Sequence, residues 1–196
     1  MLVKFNIDTG AIIQCVKAPD SHAQYYGDDV LIVEDEIVTD MTHYVDGGVL
    51  IPVPPKPTEY HYWDWTTKSW LPNLDAARNA RLQEVSSELN RRLYLPCNGF
   101  DADKVSRERI SGMIARLQRG DGLPAGWVGW RDANNQQQWV ADDAATVLAN
   151  LTALSRAIED REQALLVASW THKANIAALT DIDAIIGYDV TASWPV

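Results

Sequence analysis

The residues from 143 to 179 carry an apolar stripe at helical spacing, and this stripe constrains the fold more than any other feature of the chain. A helix of that length would be about 55 Å long, with Asp142 or Asp143 as its N-cap. Such a helix outruns one small domain, so the stripe predicts either antiparallel packing on another helix of the chain or a coiled-coil seam between copies. The candidate seam or core residues are Leu151, Leu154, Ile158, Leu165, Ile176 and Leu179. Arg161 and His172 interrupt the stripe, so a seam between copies would be short or would carry a polar layer.

Two shorter helices are predicted before this long one. From Leu74 the hydrophobic period changes from two to about 3.6 residues, which predicts a helix of about twenty residues that Pro96 ends. A second helix begins near Asp101 or Asp103, because a carboxylate suits a helix N-terminus. It ends before Gly120, at a position where glycine is favoured.

The first third of the chain shows the alternation and turn chemistry of short β-strands. Residues 2–7 and 11–16 flank Asp8-Thr9-Gly10, and residues 43–45 and 49–53 flank Asp46-Gly47-Gly48, so each pair predicts an antiparallel hairpin. Four prolines between 52 and 57 predict an extended linker. The predicted fold class is therefore α+β. A small antiparallel β-rich module at 1–51 is followed by a Pro-rich linker at 52–59 and by a helical module at 60–196, with long helices and short aromatic β-hairpins.

Six of the eight tryptophans fall into two predicted hairpins. The first is closed by Trp65 and Trp70 around a Thr-Thr-Lys-Ser turn, and the second turns at Asn134-Asn135, a pair that suits positive φ. Exposed indoles can stack on sugar rings, whereas buried ones would anchor hairpins that are marginal alone, and anchoring is the expected role. Of the other two tryptophans, Trp170 is expected to pack on a helix and Trp194 to dock the C-terminal tail. The candidate binding residues are Trp63, Trp65, Trp70, Trp127, Trp130 and Trp139.

Charge and hydropathy exclude two classes of partner. The net charge is −10, and residues 1–72 contain four Lys/Arg against eleven Asp/Glu, so a phosphate backbone would be repelled and no nucleic-acid binding is expected. No apolar run approaches the ~18 residues that a membrane span needs, so no membrane insertion is expected. Residues 1–6 turn polar too early for a signal peptide, which predicts a protein made without Sec-type export. The two cysteines, Cys15 and Cys97, are predicted to be reduced and buried.

The motifs of the common enzyme classes are absent from the sequence. It has no phosphate-binding Gly-x4-Gly-Lys, no Gly-x-Ser-x-Gly, no His-Glu-x2-His and no cysteine pair at zinc spacing. The acidic run at 34–36 lacks the calcium-loop pattern and is interpreted as a solvated rim. The chain is therefore expected to have no enzymatic activity, no catalytic residue, no metal site and no cofactor. The four histidines are widely separated and are not expected to bind a metal: His22, His43, His61 and His172.

The order of these parts resembles a domain family of uncharacterised function that recurs in tail fibre and tail-fibre-assembly proteins of tailed bacteriophages. The resemblance rests on a Trp-Asp-Trp-x4-Trp hairpin, a long helix, a segment with Phe100 and Asp103, a Trp-x-Asp-x-Asn-Asn hairpin and a final long helix. It covers roughly 60–196, and the turns at 8–13 and 43–48 are similar, more loosely, to short β-modules that precede this domain in tail proteins. The ending with Trp194-Pro195 is also similar to fibre-assembly chaperones.

The resemblance implies a structural virion component of the tail fibre or baseplate apparatus. It would act in host attachment as a connector or adaptor for a receptor-binding fibre, with other tail proteins as partners. It would be assembled in the host bacterial cytoplasm and located in the virion tail, as a homotrimer, the symmetry usual in such fibres. The alternative is a tail fibre assembly chaperone that caps the fibre tip, and a lesser alternative is a glycan-binding adhesin module.

Overall fold

The chain is an α+β protein in two compact units, Met1–Asn73 and Leu74–Val196. The computed structural model describes residues 1–33, 38–39 and 41–195. The acidic run at 34–36, interpreted above as a solvated rim, lies outside the described residues. The first unit contains the strands expected near the N-terminus, and the second contains the long helices.

The N-terminal unit begins with a three-stranded antiparallel sheet in the order β2-β1-β3. Its strands are β1 (Leu2–Phe5), β2 (Ile12–Val16) and β3 (Val30–Ile32), with a short 3-10 helix at Asp20–Tyr25 before β3. Val3, Ile12 and Val38 form its buried core. Gly10, in the β1–β2 turn, has φ +71°, and a Cβ there would lie 2.0 Å from the carbonyl oxygen of Val45. Only glycine therefore allows this turn to approach the next hairpin.

Two further hairpins complete the N-terminal unit. They pair β4 (His43–Asp46) with β5 (Val49–Pro52), and β6 (His61–Asp64) with β7 (Ser69–Pro72). The sequence placed the second of these, the first tryptophan hairpin, with the helices, but the structure groups it with the strands. Side-chain contacts explain the difference: Lys68 pairs with Asp46, and the Tyr44 and Trp63 rings lie 5.4 Å apart.

The helical unit contains α1 (Leu74–Leu93), α2 (Lys104–Gln118), a hairpin of β8 (Trp130–Arg131) and β9 (Gln137–Gln138), α3 (Ala144–Ala178) and α4 (Ile182–Ile186). Aspartate carboxylates cap three of its helices. Asp103 accepts from Ser106 N, Asp143 from Thr146 N and Asp181 from Ala184 N, as expected for two of them from the sequence. Among the described residues, no helix has both the length and the hydropathy required to cross a membrane.

The 35 residues of α3 pack against two helices in succession, which explains its length. Its first half packs on α2, and its second half packs on α1. Both neighbours run antiparallel to α3: Arg78, early in α1, donates to Leu179 O, and Arg107, early in α2, pairs with Glu162. The candidate seam residues are therefore core residues of one chain. Leu151, Leu154, Ile158, Leu165 and Ile176 are at most 4% exposed, and Leu179 is half-buried at the C-cap.

Arg161 interrupts the apolar stripe at the point where α3 passes from one neighbour to the other. Its guanidinium donates to the carbonyl oxygens of Leu95 and Pro96 at 2.6 Å and of Arg92 at 3.3 Å. These are acceptors at and just beyond the C-terminus of α1, where helix carbonyls lack intrahelical partners. A cation here also complements the helix dipole. Arg161, the charged residue that interrupts the stripe, thus caps the C-terminus of α1.

The two cysteines differ in environment. Cys97 is buried in the core between α2 and α3, as expected. Cys15 is exposed, contrary to expectation, although it lies opposite the buried Val3 and its Sγ donates to Val38 O at 3.2 Å. The reason for its exposure is that β2 is an edge strand of the sheet, which among the described strands has a neighbour on one side only.

Candidate functional site: the tryptophan hairpins

The first tryptophan hairpin is closed by Trp63 and Trp70, which face each other across β6 and β7 with ring centroids 5.4 Å apart. The prediction that Trp65 pairs with Trp70 was wrong. Trp65 lies in a four-residue turn, in which Lys68 takes φ +51° and the carboxylate of Asp64 accepts from Thr66 N and Thr67 Oγ1. These hydrogen bonds hold the pKa of Asp64 below its ordinary value. The four-residue turn therefore begins one residue earlier than the predicted Thr-Thr-Lys-Ser turn, and this shift makes Trp63 the residue opposite Trp70.

The indoles of this hairpin are engaged with their own unit. Trp63 is half-buried and has T-shaped contacts with Trp65 and Trp70. Trp70 donates its Nε1–H to Pro54 O at 2.8 Å, and the Lys56 ammonium lies 5.9 Å from its ring centroid. The proline-rich segment is thus held against the hairpin. This arrangement matches the anchoring role, since the rings stabilise a small unit by packing on one another.

The second hairpin packs on the helical core. Trp127, Trp130 and Trp139 are half-buried, and all three contact the core between α2 and α3. Trp139 has φ +57° and lies 4.9 Å from the Phe100 ring, and its carbonyl oxygen accepts from Trp127 Nε1 at 3.2 Å. These contacts fix the positions of the three indoles relative to α2.

Asp132 organises the turn of this hairpin. Its Oδ1 accepts from the backbone N–H groups of Asn134 and Gln136 at 2.9 Å, and its Oδ2 accepts from Gln138 Nε2 at 2.9 Å. The hydrogen bond from Gln136 N contributes most to holding the pKa of Asp132 below its ordinary value, with further contributions from Gln138 and Asn134. Asn135 takes φ +61°, as its place in the turn predicted. The carboxylate therefore has a structural role, and its acceptor capacity is already occupied.

A hollow of about 360 Å³ opens between this hairpin and the beginning of α2. It combines two indoles with a larger number of charged and polar side chains. Gly129, at its edge, has φ +93°, and a Cβ there would lie 2.4 Å from Gln138 O. The side chains that line the hollow are Asp101, Ser106, Arg109, Trp127, Trp130, Arg131, Asp132 and Asn135.

A second aromatic group, at the C-terminal end of the helical unit, was missed as a group in the sequence. His172 is 5% exposed, its Nδ1 lies 2.8 Å from the Tyr188 hydroxyl, and its ring stacks on Trp194. Trp194 is 8% exposed and packs with α1 and α3, so the expected docking of the tail is present. Trp170 is 60% exposed, so it does not pack on a helix as expected.

The structure brings the six candidate tryptophans together in two groups of three, one in each unit. The candidate seam residues lie inside the helical unit and are not part of either group. Within the described parts of the chain, no three His, Cys, Asp or Glu residues are placed so that they could hold a metal ion.

The comparisons with known proteins concern the helical unit. Residues 76–192 match a family described as a domain of unknown function, DUF4376. No curated protein and no solved structure matches the chain. The matched residues include all but the first two residues of α1, the whole of α2 to α4 and the second tryptophan hairpin, and they make up more than half of the sequence. The chain therefore belongs to the DUF4376 family.

Proposed function

We propose that this chain is a non-enzymatic structural component of a phage tail fibre or baseplate, where it acts as a connector or adaptor for a receptor-binding fibre. The observation that carries the proposal is the division into two units, each with its own hydrophobic core. Two independently packed units can present separate surfaces to two neighbours, as a connector must. The order of motifs, similar to that of phage tail proteins, supplies the context: assembly in the host cytoplasm and residence in the virion tail.

The proposed homotrimer uses the outward face of α3. The apolar stripe is buried within one chain and leaves that face to other partners. Val167 is 53% exposed and Trp170 is 60% exposed, and Lys173 is the one charged residue between 163 and 178. Other copies are the occupants that fit this face, because in a chain of net charge −10 an uncharged surface brings like molecules together with the least repulsion.

A specific observation favours the connector over the assembly chaperone. The chaperone alternative rests on the Trp194-Pro195 ending. Trp194 is 8% exposed and donates its Nε1–H to Val190 O at 2.8 Å, so its indole is occupied within its own chain. A tail docked in this way does not present the tryptophan to a fibre tip.

Mass spectrometry of purified virions tests the connector. The chain is expected in the particles at the stoichiometry of a trimeric part. Abundance in the lysate with absence from the particles would contradict the connector and favour the chaperone. The trimer is tested separately by sedimentation of the full chain. Trp170→Glu should dissociate it, whereas Val105→Glu, a change at a 53% exposed residue of α2, should not.

A further inference from the structure

We propose that the hollow between α2 and the second tryptophan hairpin binds an acidic saccharide through its carboxylate and one face of its sugar ring. This site goes beyond the connector function, since a connector needs no small-ligand pocket. Its volume of about 360 Å³ lies within the range of natural ligand sites, and its lining of two indoles and six charged or polar side chains suits a ligand with many hydroxyl groups.

The indoles supply the apolar wall of the site. Trp127 and Trp130 both line the hollow, and each is half-buried, so part of each ring remains accessible. The C–H groups on one face of a pyranose are weakly positive, and they pack on the negative face of an aromatic ring. The first tryptophan hairpin differs here, because the ammonium of Lys56 lies over its Trp70 ring.

Two arginines select for a carboxylate. Arg109 and Arg131 line the same hollow and are both exposed. Among the described residues, neither guanidinium lies within 4.0 Å of a carboxylate, whereas most other arginines of the helical unit are paired or donate to a carbonyl. A guanidinium binds a carboxylate through two parallel hydrogen bonds, so two guanidinium groups that form no salt bridge within the described residues favour an anionic ligand.

The remaining polar groups suit hydroxyl groups better than phosphate. Asp101 is exposed beside the arginines and can accept from a sugar hydroxyl, and Asn135 offers both a donor and an acceptor. The Asp132 carboxylate is already occupied by the turn. A phosphate monoester carries a charge of about −1.5 to −2, against −1 for a uronate, so repulsion from Asp101 and from the net charge of −10 disfavours a nucleotide more strongly than a uronate.

The walls of the site are fixed before a ligand binds. Ala133 N donates to Gly99 O at 2.9 Å, which ties the hairpin turn to the loop before α2. Trp127 Nε1 donates to Trp139 O, and Ser106 donates through both N and Oγ to the Asp103 carboxylate. The indoles and the turn are therefore positioned in advance, and ordering on binding is limited to the exposed polar side chains such as Arg109 and Arg131.

Titrations of the full-length chain with D-glucuronate, D-glucose, acetate and AMP, followed by NMR of the indole N–H signals, test the site. Glucuronate should shift the Trp127 and Trp130 signals. Glucose and acetate should each bind at least about tenfold more weakly, equivalent to about 1.4 kcal/mol, because each lacks one of the two recognition elements. The absence of shifts with glucuronate at its solubility limit would overturn the proposal. Stronger binding of AMP than of glucuronate would also overturn it, in favour of a nucleotide.

Substitutions of the arginines connect the shifts to the proposed contacts. Arg109→Gln and Arg131→Gln should each weaken glucuronate binding about tenfold and leave glucose binding unchanged, because a neutral amide cannot replace a bidentate guanidinium. Arg156→Gln is the matched control, since Arg156 is an exposed arginine of α3 that does not line the hollow, and it should have no effect. Equal effects of all three substitutions would contradict the site. The exposed arginines can be replaced without disturbing the core, and far-UV circular dichroism of each variant checks this.

Discussion

The imidazole ring of His172 stacks on the indole of Trp194, with ring centroids 5.0 Å apart and planes inclined by 29°. The guanidinium of Arg92, from α1, lies 5.4 Å from the centroid of the same indole. The C-terminal segment is therefore fastened to two helices at once, by a side chain from α3 and a side chain from α1. The stacking and the cation–π contact both stabilise this docked position, in addition to the stabilisation from burial of the ring.

Replacement of this indole should destabilise the helical unit. Trp194→Ala should lower the free energy of unfolding by about 3–4 kcal/mol, because it removes a buried aromatic ring and leaves a cavity against Val85 and Leu165. Urea unfolding followed by circular dichroism measures the change. Trp170→Ala is the control, and as a change at an exposed indole it should alter the free energy of unfolding by about 0.5 kcal/mol or less. Equal effects of the two changes would show that the tail is not docked in solution.

The packing of α3 on α1 predicts that substitutions at Leu165 and at Val167 differ in their effect on stability. Leu165 is 2% exposed and packs on α1, so Leu165→Ala should cost about 3 kcal/mol at any protein concentration. Leu165→Asp should unfold the helical unit. Val167, two residues later, is 53% exposed, and Val167→Ala should be close to neutral in the monomer. If Leu165→Asp instead gave a folded monomer from an oligomer, the stripe would be intermolecular.

The lowered pKa of Glu88 predicts that the helical unit becomes less stable at acidic pH. Its carboxylate accepts hydrogen bonds from Arg91 and from Arg92, and mainly the Arg91 bonds lower its pKa from 4.5 to about 2. Because the folded state binds this proton less readily than the unfolded state, the contribution is complete above pH 4.5 and is lost as the pH falls towards 2. With its side chain 11% exposed, the contribution is about 1–2 kcal/mol after allowance for screening.

The measurement compares urea unfolding of Glu88→Gln and the original chain across this range of pH. At neutral pH the variant should be less stable by the amount given above, and the difference should vanish near pH 2. Glu108→Gln is the control, since that side chain is 66% exposed and lies 3.9 Å from Lys104. It should change stability by a few tenths of a kcal/mol at most. A Glu88→Gln difference that did not depend on pH would contradict the role of the charge.

The helices were predictable from sequence because their signals are local. The change of period at Leu74 and the carboxylates at Asp103 and Asp143 act within one or two turns of the helix that they begin, and the structure has all three helices where these signals placed them. The periodicity could not decide which partner covers the stripe. A helix of the same chain and a helix of another copy demand the same spacing of apolar residues.

The features that the sequence did not predict depend on register or on distant contacts. Alternation of aromatic residues is equally compatible with turns that begin one residue apart, so it did not distinguish Trp63 from Trp65 as the partner of Trp70. The group formed by His172, Tyr188 and Trp194 joins residues from α3 and the tail, and single residues in the sequence carry no signal for such a contact. The hollow at the second hairpin was missed for the same reason, since Arg109 and Arg131 come from different elements.

Two glycines of the helical unit predict opposite effects of the same substitution. Gly129 has φ +93°, and an added Cβ would lie 2.4 Å from Gln138 O and 2.8 Å from Val140 Cγ2, so Gly129→Ala should destabilise the unit by about 2 kcal/mol. Gly112 lies within α2, where a Cβ meets no atom within 4 Å, so Gly112→Ala should stabilise the unit by about 0.5–1 kcal/mol. Urea unfolding measures both changes. Because Gly129 is at the edge of the hollow, its variant should also displace the Trp130 indole N–H signal, and the Gly112 variant should leave that signal in place. A Gly129→Ala variant as stable as the original chain would mean that the hairpin does not hold this close approach in solution.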